Sequence, residues 1–185
     1  MQFIRHTNLE GCHAPFSASQ PSWLRYDDDK VRDVYANKKA AEMGTILHRW
    51  AKETIDLRIK QPRSQKTLYA YVNDAIGFGM STEVVLYYSP RFFGTADAIS
   101  FRNGVLRIHD LKTGSTTVKK EQLMVYAALF CLEYKIKPGE IKFELRIYQN
   151  DSVLIIEPTA EDILPIMDRI VHLDKLLEKI DNEEV

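Results

Sequence analysis

The sequence predicts an α/β sandwich in which helices flank a mixed, largely antiparallel central sheet. Apolar, β-branched and aromatic runs mark strands at 83–88, 92–101, 105–112, 141–149 and 153–157. Apolar residues at helical spacing mark two segments before these strands, one between them and one after them. The resulting order is helix, helix, strand, hairpin, helix, strand, strand, helix.

Composition narrows the class of protein. The 185 residues are 45% hydrophobic and 28% charged, as is ordinary for a soluble globular chain, and we expect a single domain over 1–185. A net charge of −1 argues against a protein that coats DNA through overall positive charge, although a local basic groove remains open. Two cysteines are too few for a disulfide framework or a four-cysteine iron–sulfur cluster. With no signal pattern and no long apolar run, the sequence predicts a cytoplasmic protein without a membrane partner.

The first elements are helical. Residues 1–37 are expected to form an extension of loop and short helix. Lys38 to Ile59 carries apolar residues at helical spacing, and His48 lies beside that stripe, either as a hydrogen-bonded core residue or as a ligand. A shorter helix from Leu68 to Ile76 follows and ends at Gly77-Phe-Gly79.

The hairpin carries the most informative pattern. Asn103-Gly104 favours a two-residue type I′ turn, and counting outward from it fixes the register. The predicted opposed pairs, all on one face, are Phe101–Leu106, Ile99–Ile108, Asp97–Asp110 and Thr95–Lys112. Opposed carboxylates repel each other, so two of them beside a core predict a bound cation with Lys112 next to it. The alternative is that both acids lie past the edge of the core in solvent.

Two helices complete the chain. The first runs from about Val118 to Glu133 and puts Gln122 and Tyr126 on one face. Its start carries Lys119 and Lys120, which either bind a phosphate at the helix N-terminus or lie in solvent. The last helix, at about 159–183, has apolar residues that most simply pack onto the core, while an oligomer formed through it remains open.

Five short motifs in this order resemble those of the PD-(D/E)XK nucleases, in particular the RecB-like exonuclease branch. The resemblance covers positions 44–126, and any one motif alone is weak. The five are Gly44-Thr-Ile-Leu-His48, the acid Glu83, Gly94-Thr-Ala-Asp97, Asp110-Leu-Lys112-Thr-Gly114 and Gln122-Leu-Met-Val-Tyr126.

The resemblance implies a restriction-endonuclease-like core and a metal site. In that branch the matched side chains and one main-chain carbonyl bind Mg²⁺ or Mn²⁺; here they are His48, Asp97, Asp110 and the carbonyl of Leu111. CRISPR-associated exonucleases of this branch carry a four-cysteine iron–sulfur cluster, which this chain cannot build.

The resemblance also implies the chemistry, which is hydrolysis of DNA by a metal-dependent deoxyribonuclease, most simply an exonuclease in DNA processing, recombination or repair. Lys112 is expected to orient the attacking water, and Gln122 and Tyr126 to line the site. Glu83 either assists through a water or only steadies the first strand. The residues expected to line the DNA path are Arg91, Arg102, Lys119 and Lys120.

Three alternatives remain beside the exonuclease. A structure-specific endonuclease would use the same centre, and a non-cutting DNA-end-binding or assembly subunit would keep the fold. A recombination or helicase partner is compatible with each. An iron oxygenase using His48, His109 and Asp110 is disfavoured, because adjacent residues of a strand point to opposite faces.

Overall fold

A computed structural model describes residues 4–9, 11–12, 14–114 and 119–183. The chain divides into two compact units, Met1–Thr45 and Ile46–Val185. The first contains short 3-10 helices at Thr7–Leu9 and Pro21–Arg25 and the beginning of the first long helix. The second contains the remainder of that helix and the sheet. The expectation of a single domain over 1–185 stays a prediction.

The order of elements agrees with the order predicted from the sequence. In the described ranges, nine α-helices and β-strands follow one another: α1 (Asp28–Asp56), α2 (Thr67–Gly77), β1 (Ser81–Ser89), β2 (Phe92–Arg102), β3 (Val105–Leu111), α3 (Glu121–Tyr134), β4 (Lys142–Gln149), β5 (Ser152–Ile156) and α4 (Ala160–Glu183). A short 3-10 helix, Pro138–Glu140, precedes β4.

The five strands form one sheet in the order β1-β2-β3-β4-β5. The β3–β4 pair is parallel, and the other three pairs are antiparallel. A parallel pair needs a crossover, and α3 supplies it between β3 and β4. The prediction of a mixed, largely antiparallel sheet flanked by helices is confirmed.

Helices cover both faces of the sheet in the second unit. On one face, α3 and α4 pack over the strands in a cluster that includes Ile108, Leu123, Leu145 and Ile163. On the other face, α2 and the end of α1 form a cluster with Leu111 and Tyr148 of the sheet. Burial of apolar side chains on two faces is what stabilises a three-layer arrangement of this kind.

The hairpin turn forms as predicted. Asn103 and Gly104 have φ values of 52° and 73°, the left-handed values that a type I′ turn requires. The strands pair in the expected register from Arg102–Val105 back to Ala98–His109. The turn chemistry alone was therefore enough to fix the alignment of β2 with β3.

The start of α1 differs from the prediction. The helix begins at Asp28 rather than at Lys38, so residues 28–37 of the expected extension are helical. The Asp27 carboxylate accepts the Lys30 main-chain N–H at 2.8 Å, and Asp28 and Asp29 favour the positive end of the helix dipole. Capping chemistry therefore starts this helix before its apolar stripe begins.

The two later helices lie close to their predicted positions. Helix α3 begins at Glu121, and Val118, the predicted start, lies outside the described residues. In the first turn of α4, the Asp162 carboxylate accepts both the main-chain N–H and the hydroxyl of Thr159. Ile163 and Ile170 of α4 are buried in the cluster shared with α3, which confirms packing onto the core. No helix in the described part of the chain is both long and apolar enough to cross a bilayer.

Candidate metal centre

The two aspartates lie where β3 parts from β2. The last pair of the β2–β3 ladder is Ala98–His109, whereas β3 stays paired with β4 through Leu111. In the opening, the Asp97 carboxylate accepts the main-chain N–H of Leu111 at 2.9 Å. In the predicted register, Asp97 and Asp110 would form the next pair after Ala98–His109. The contact that forms here instead joins the Asp97 side chain to the main chain of Leu111.

The alternation of side chains reverses at Asp97. Ala96 packs in the cluster under α3, whereas Ala98 packs in the cluster under α2. Residues two apart in a regular strand share a face, so Asp97 lies at a local irregularity. Its counterpart by register on β1 is Glu83, which has a φ of 51°. A non-glycine residue rarely adopts this φ, and such strain is concentrated at functional sites.

The reversal corrects one predicted pair. A Cβ on Gly94 would lie 2.7 Å from the Tyr126 ring on α3, so position 94 faces α3. Thr95 therefore faces away from α3, and it is exposed and paired with Val85. The Lys112 side chain reaches Gln122 on α3. Thr95 and Lys112 are thus on opposite faces, and the prediction that they oppose each other was wrong.

Asp110 is the more buried of the two acids, with 3% of its surface exposed. One carboxylate oxygen accepts from the Lys112 ammonium at 3.0 Å. The other, Oδ2, is buried and has no hydrogen-bond partner among the described residues. A buried carboxylate oxygen without a partner is costly, so this atom marks a place where a cation would stabilise the fold.

The environment of Asp97 favours its protonated form in the metal-free protein. Burial raises its pKa to about 6, and repulsion from Asp110 and Glu83 acts in the same direction. The Leu111 N–H and nearby His48 act in the opposite direction. A divalent cation would relieve both the burial and the repulsion.

His48 lies beside Asp97, as the ligand hypothesis requires. Its Nδ1 is 3.6 Å from Asp97 Oδ2. The His48 side chain is neither fully buried nor fully exposed, since 32% of it is accessible. Among the residues that the structure describes, no three His, Cys, Asp or Glu side chains are grouped closely enough to hold a metal. Metal binding by His48, Asp97, Asp110 and the Leu111 carbonyl therefore stays a prediction.

A hydrogen-bonded chain leads from the acids to α3. The Lys112 ammonium donates to Gln122 Oε1 at 3.1 Å, and Gln122 Nε2 donates to the Tyr126 hydroxyl at 3.2 Å. Gln122 and Tyr126 lie one helical turn apart, as the sequence spacing predicts. Because Gly94 has no side chain, the Tyr126 ring can lie directly against β2, and this contact explains why a glycine is needed at position 94.

The basic residues predicted to contact DNA are not brought together. Arg91 is paired with Asp174 and Asp181 of α4. Arg102 donates to the Gly79 carbonyl at the turn end of the hairpin, roughly 16 Å along the strand from Asp97. Lys119 and Lys120 are exposed before α3, directly after residues 115–118, which the structure does not describe. Their contacts with DNA stay predictions.

His109 lies on the other face of the sheet from Asp110. Its ring packs against Phe78 and Tyr148, and Nδ1 is 3.3 Å from the Tyr148 hydroxyl. Burial, with Arg146 and Arg107 nearby, lowers its pKa to about 3. A site that combines His109 with Asp110 is therefore excluded by geometry, which removes the oxygenase arrangement.

Two residues near Glu83, the register counterpart of Asp97, were missed. Tyr71 of α2 is buried, and its pKa is raised by burial and then by Asp97, Glu83 and Asp110. No sequence pattern separates Tyr71 from the other apolar residues of α2. Lys52 lies one turn after His48 on α1, and that spacing of four residues was the signal available for it.

The comparisons with known proteins identify a family. Residues 83–181, more than half of the chain, match the family model described as "Protein of unknown function (DUF2800)". The chain belongs to this family. The matched region begins at Glu83 and includes Asp97, Asp110 and Lys112, while His48 precedes it. Neither the curated proteins nor the solved structures gave a match.

Proposed function

We propose that this member of the DUF2800 family is a metal-dependent deoxyribonuclease of the PD-(D/E)XK type, most simply an exonuclease in DNA processing, recombination or repair. The observation that carries the proposal is the unpartnered, buried Oδ2 of Asp110, which lies next to Asp97 and Lys112. A cation bound at this oxygen would offset the cost of burying it without a partner.

The available donors suit Mg²⁺ or Mn²⁺. Two carboxylates and the Leu111 carbonyl supply the hard oxygen ligands that both ions prefer, and the His48 imidazole would favour Mn²⁺. When bound, such an ion lowers the pKa of a coordinated water and offsets charge on the scissile phosphate.

Lys112 is the group that we assign to the reacting phosphate. An ammonium has three donors, and two of them are used on Asp110 and Gln122. No acceptor among the described residues takes the third, which leaves it to donate to a water or to a phosphate oxygen. Gln122 holds the ammonium in place, and Tyr126 holds Gln122 in turn. These hydrogen bonds therefore fix the positively charged Lys112 ammonium beside Asp97 and Asp110, where negative charge develops during hydrolysis.

DNA is proposed as the substrate because the five motifs occur in the order seen in the RecB-like branch. An assembly subunit that does not cut would have no use for two repelling acids and a lysine aligned by Gln122. An endonuclease would use the same centre, so the assay must distinguish free ends from closed circles.

Digestion of end-labelled linear single-stranded and duplex DNA, beside closed circles, tests the proposal. We expect the wild type to degrade linear DNA with Mg²⁺ or Mn²⁺ and to be inactive in EDTA. Asp110→Asn should abolish cutting, while Asp168→Asn, which changes an exposed acid on α4, should not. Undiminished cutting by Asp110→Asn, or cutting in EDTA, would overturn the proposal.

A further inference from the structure

A polar cleft adjoins the proposed metal centre, between the end of α1 and the start of β1. Its volume is about 340 Å³. Residues of both elements line it: Lys52, Ile55, Asp56, Arg58, Met80, Ser81 and Thr82. No residue of the proposed nuclease centre is among them, and none was singled out by the sequence.

The cleft lies next to the proposed metal centre along the axis of α1. Lys52 lies four residues after His48, which is roughly 6 Å along the helix and on the same face. On the β1 side, Thr82 precedes Glu83, the register counterpart of Asp97. If the scissile phosphate of a nucleic-acid strand lies at the proposed metal centre, the neighbouring phosphate lies roughly 6 Å away, which is about the distance from His48 to Lys52 along α1.

The acid in the cleft is already satisfied. Asp56 accepts from the Lys52 ammonium on Oδ2 and from the Thr82 hydroxyl at 2.6 Å on Oδ1. These two hydrogen bonds lower the pKa of Asp56, first through Lys52 and then through Thr82. Both of its oxygens are engaged, so the carboxylate is poorly placed to hold a metal ion and its charge is offset by Lys52.

Arg58 supplies a second, uncompensated positive charge. It lies two residues after the end of α1 in a left-handed conformation, with φ of 58°. Its guanidinium has one long contact, 3.5 Å from Nη1 to the Ile76 carbonyl, and no ion pair with an acid in the described part of the chain. The Ser81 side chain at the start of β1 adds a hydroxyl to the lining.

We propose that this cleft binds the nucleic-acid backbone at a phosphate next to the scissile one, with Arg58 and Lys52 as the cationic contacts. Cationic side chains and Ser or Thr hydroxyls are the groups that proteins direct at phosphate oxygens. With Asp56 offset by Lys52, the charge of Arg58 remains to attract an anion. The inference rests on the proposed nuclease function and adds a substrate-binding subsite to it.

Binding of a fluorescently labelled DNA oligonucleotide, measured by anisotropy at several salt concentrations, tests the subsite. Ca²⁺ replaces Mg²⁺, so that binding is measured without turnover. We expect Arg58→Gln to weaken binding about tenfold near 0.1 M salt and to reduce the salt slope by about one, as expected for one lost phosphate contact. Lys52→Gln should act in the same direction.

The matched control is Lys142→Gln, which removes an exposed charge on β4, three strands away from β1, and should leave the salt slope unchanged. Calorimetric Mn²⁺ binding should be equal in wild type and Arg58→Gln, since Arg58 is not a ligand. If the wild type binds and cuts DNA but Arg58→Gln and Lys52→Gln behave like Lys142→Gln, the subsite is refuted and the nuclease function stands. If the wild type neither binds nor cuts DNA, both are refuted.

Discussion

At the scale of single residues, Asp97 and Asp110 are held in positions that are unfavourable for two carboxylates. Asp97 accepts a main-chain N–H from the strand that Asp110 belongs to, and one Asp110 oxygen has no partner among the residues that the structure describes. Each carboxylate is therefore held by the protein in a position that costs free energy while no cation is bound. The costs have measurable consequences for stability and for metal preference.

The raised pKa of Asp97 predicts a pH-dependent stability of the metal-free protein. Its pKa is about 6 in the folded state, against 3.8 for an ordinary aspartate side chain. The ionised form therefore destabilises the fold above pH 6, on the order of 1–3 kcal/mol, and the penalty disappears as pH falls from 7 towards 4. Asp97→Asn keeps an acceptor for the Leu111 N–H and removes the charge. We expect a higher melting temperature than wild type at pH 7.5 in EDTA.

The melting-temperature difference between Asp97→Asn and wild type should shrink to nothing near pH 4, where wild-type Asp97 is protonated as well. Asp168→Asn, an exposed change, should follow the wild type at every pH. A variant that is less stable than wild type at pH 7.5 would contradict this account of the Asp97 environment.

His48 predicts a difference between two metal ions. Imidazole nitrogen is a better ligand for Mn²⁺ than for Mg²⁺. If His48 is a ligand, His48→Ala should weaken Mn²⁺ binding more than Mg²⁺ binding, and the remaining activity should shift towards Mg²⁺. Calorimetry with both ions checks this. Equal affinities, together with a loss of stability of roughly 1–3 kcal/mol, would make His48 a structural residue instead.

At the scale of elements, predictability follows how local the determining signal is. The register of β2 with β3 could be predicted because Asn103 and Gly104 fix the turn. The reversal at Asp97 could not, because it accompanies a left-handed Glu83 on β1, and nothing in that stretch, such as a glycine, signals it. The early start of α1 was missed because the prediction relied on the apolar stripe and passed over the cap at Asp27.

The contact between β2 and α3 gives a prediction at this scale. A Cβ at position 94 would lie 2.7 Å from Cε1 of Tyr126. Gly94→Ala should therefore push Tyr126 away from Gln122, with a loss of stability of about 1–3 kcal/mol and a fall in nuclease activity. Thermal unfolding and the digestion assay measure the two effects.

Gly139→Ala is the matched control, because a Cβ there meets no atom within 4 Å and the residue has no left-handed φ. In a Tyr126→Ala background, Gly94→Ala should cost little further stability, since the clashing ring is gone. If Gly94→Ala is as stable and as active as Gly139→Ala, Tyr126 has no fixed position against β2.

At the scale of the whole molecule, the candidate site combines what one hairpin determines with what packing determines. That Asp97 lies near Asp110 could be predicted from the sequence, because one turn sets the register of β2 with β3 up to Ala98 and His109. Lys112 follows Asp110 by two residues. The closeness of His48 depends on how the end of α1 packs on the sheet, which sequence spacing does not encode. The same packing forms the cleft lined by Lys52 and Arg58, and none of the five motifs predicted this cleft. The prediction that His48 is a metal ligand came only from the resemblance to the PD-(D/E)XK nucleases.

The most direct test of the central claim is calorimetric titration of the protein with Mn²⁺. The claim is that Asp97 and Asp110 form a divalent cation site beside Lys112, and this measurement does not depend on the substrate. We expect wild type to bind, Asp110→Asn to lose binding, and Lys112→Gln to bind as tightly or more tightly, because a competing ammonium leaves the Asp110 carboxylate. Equal Mn²⁺ binding by wild type and Asp110→Asn, or no binding by wild type, would contradict the account.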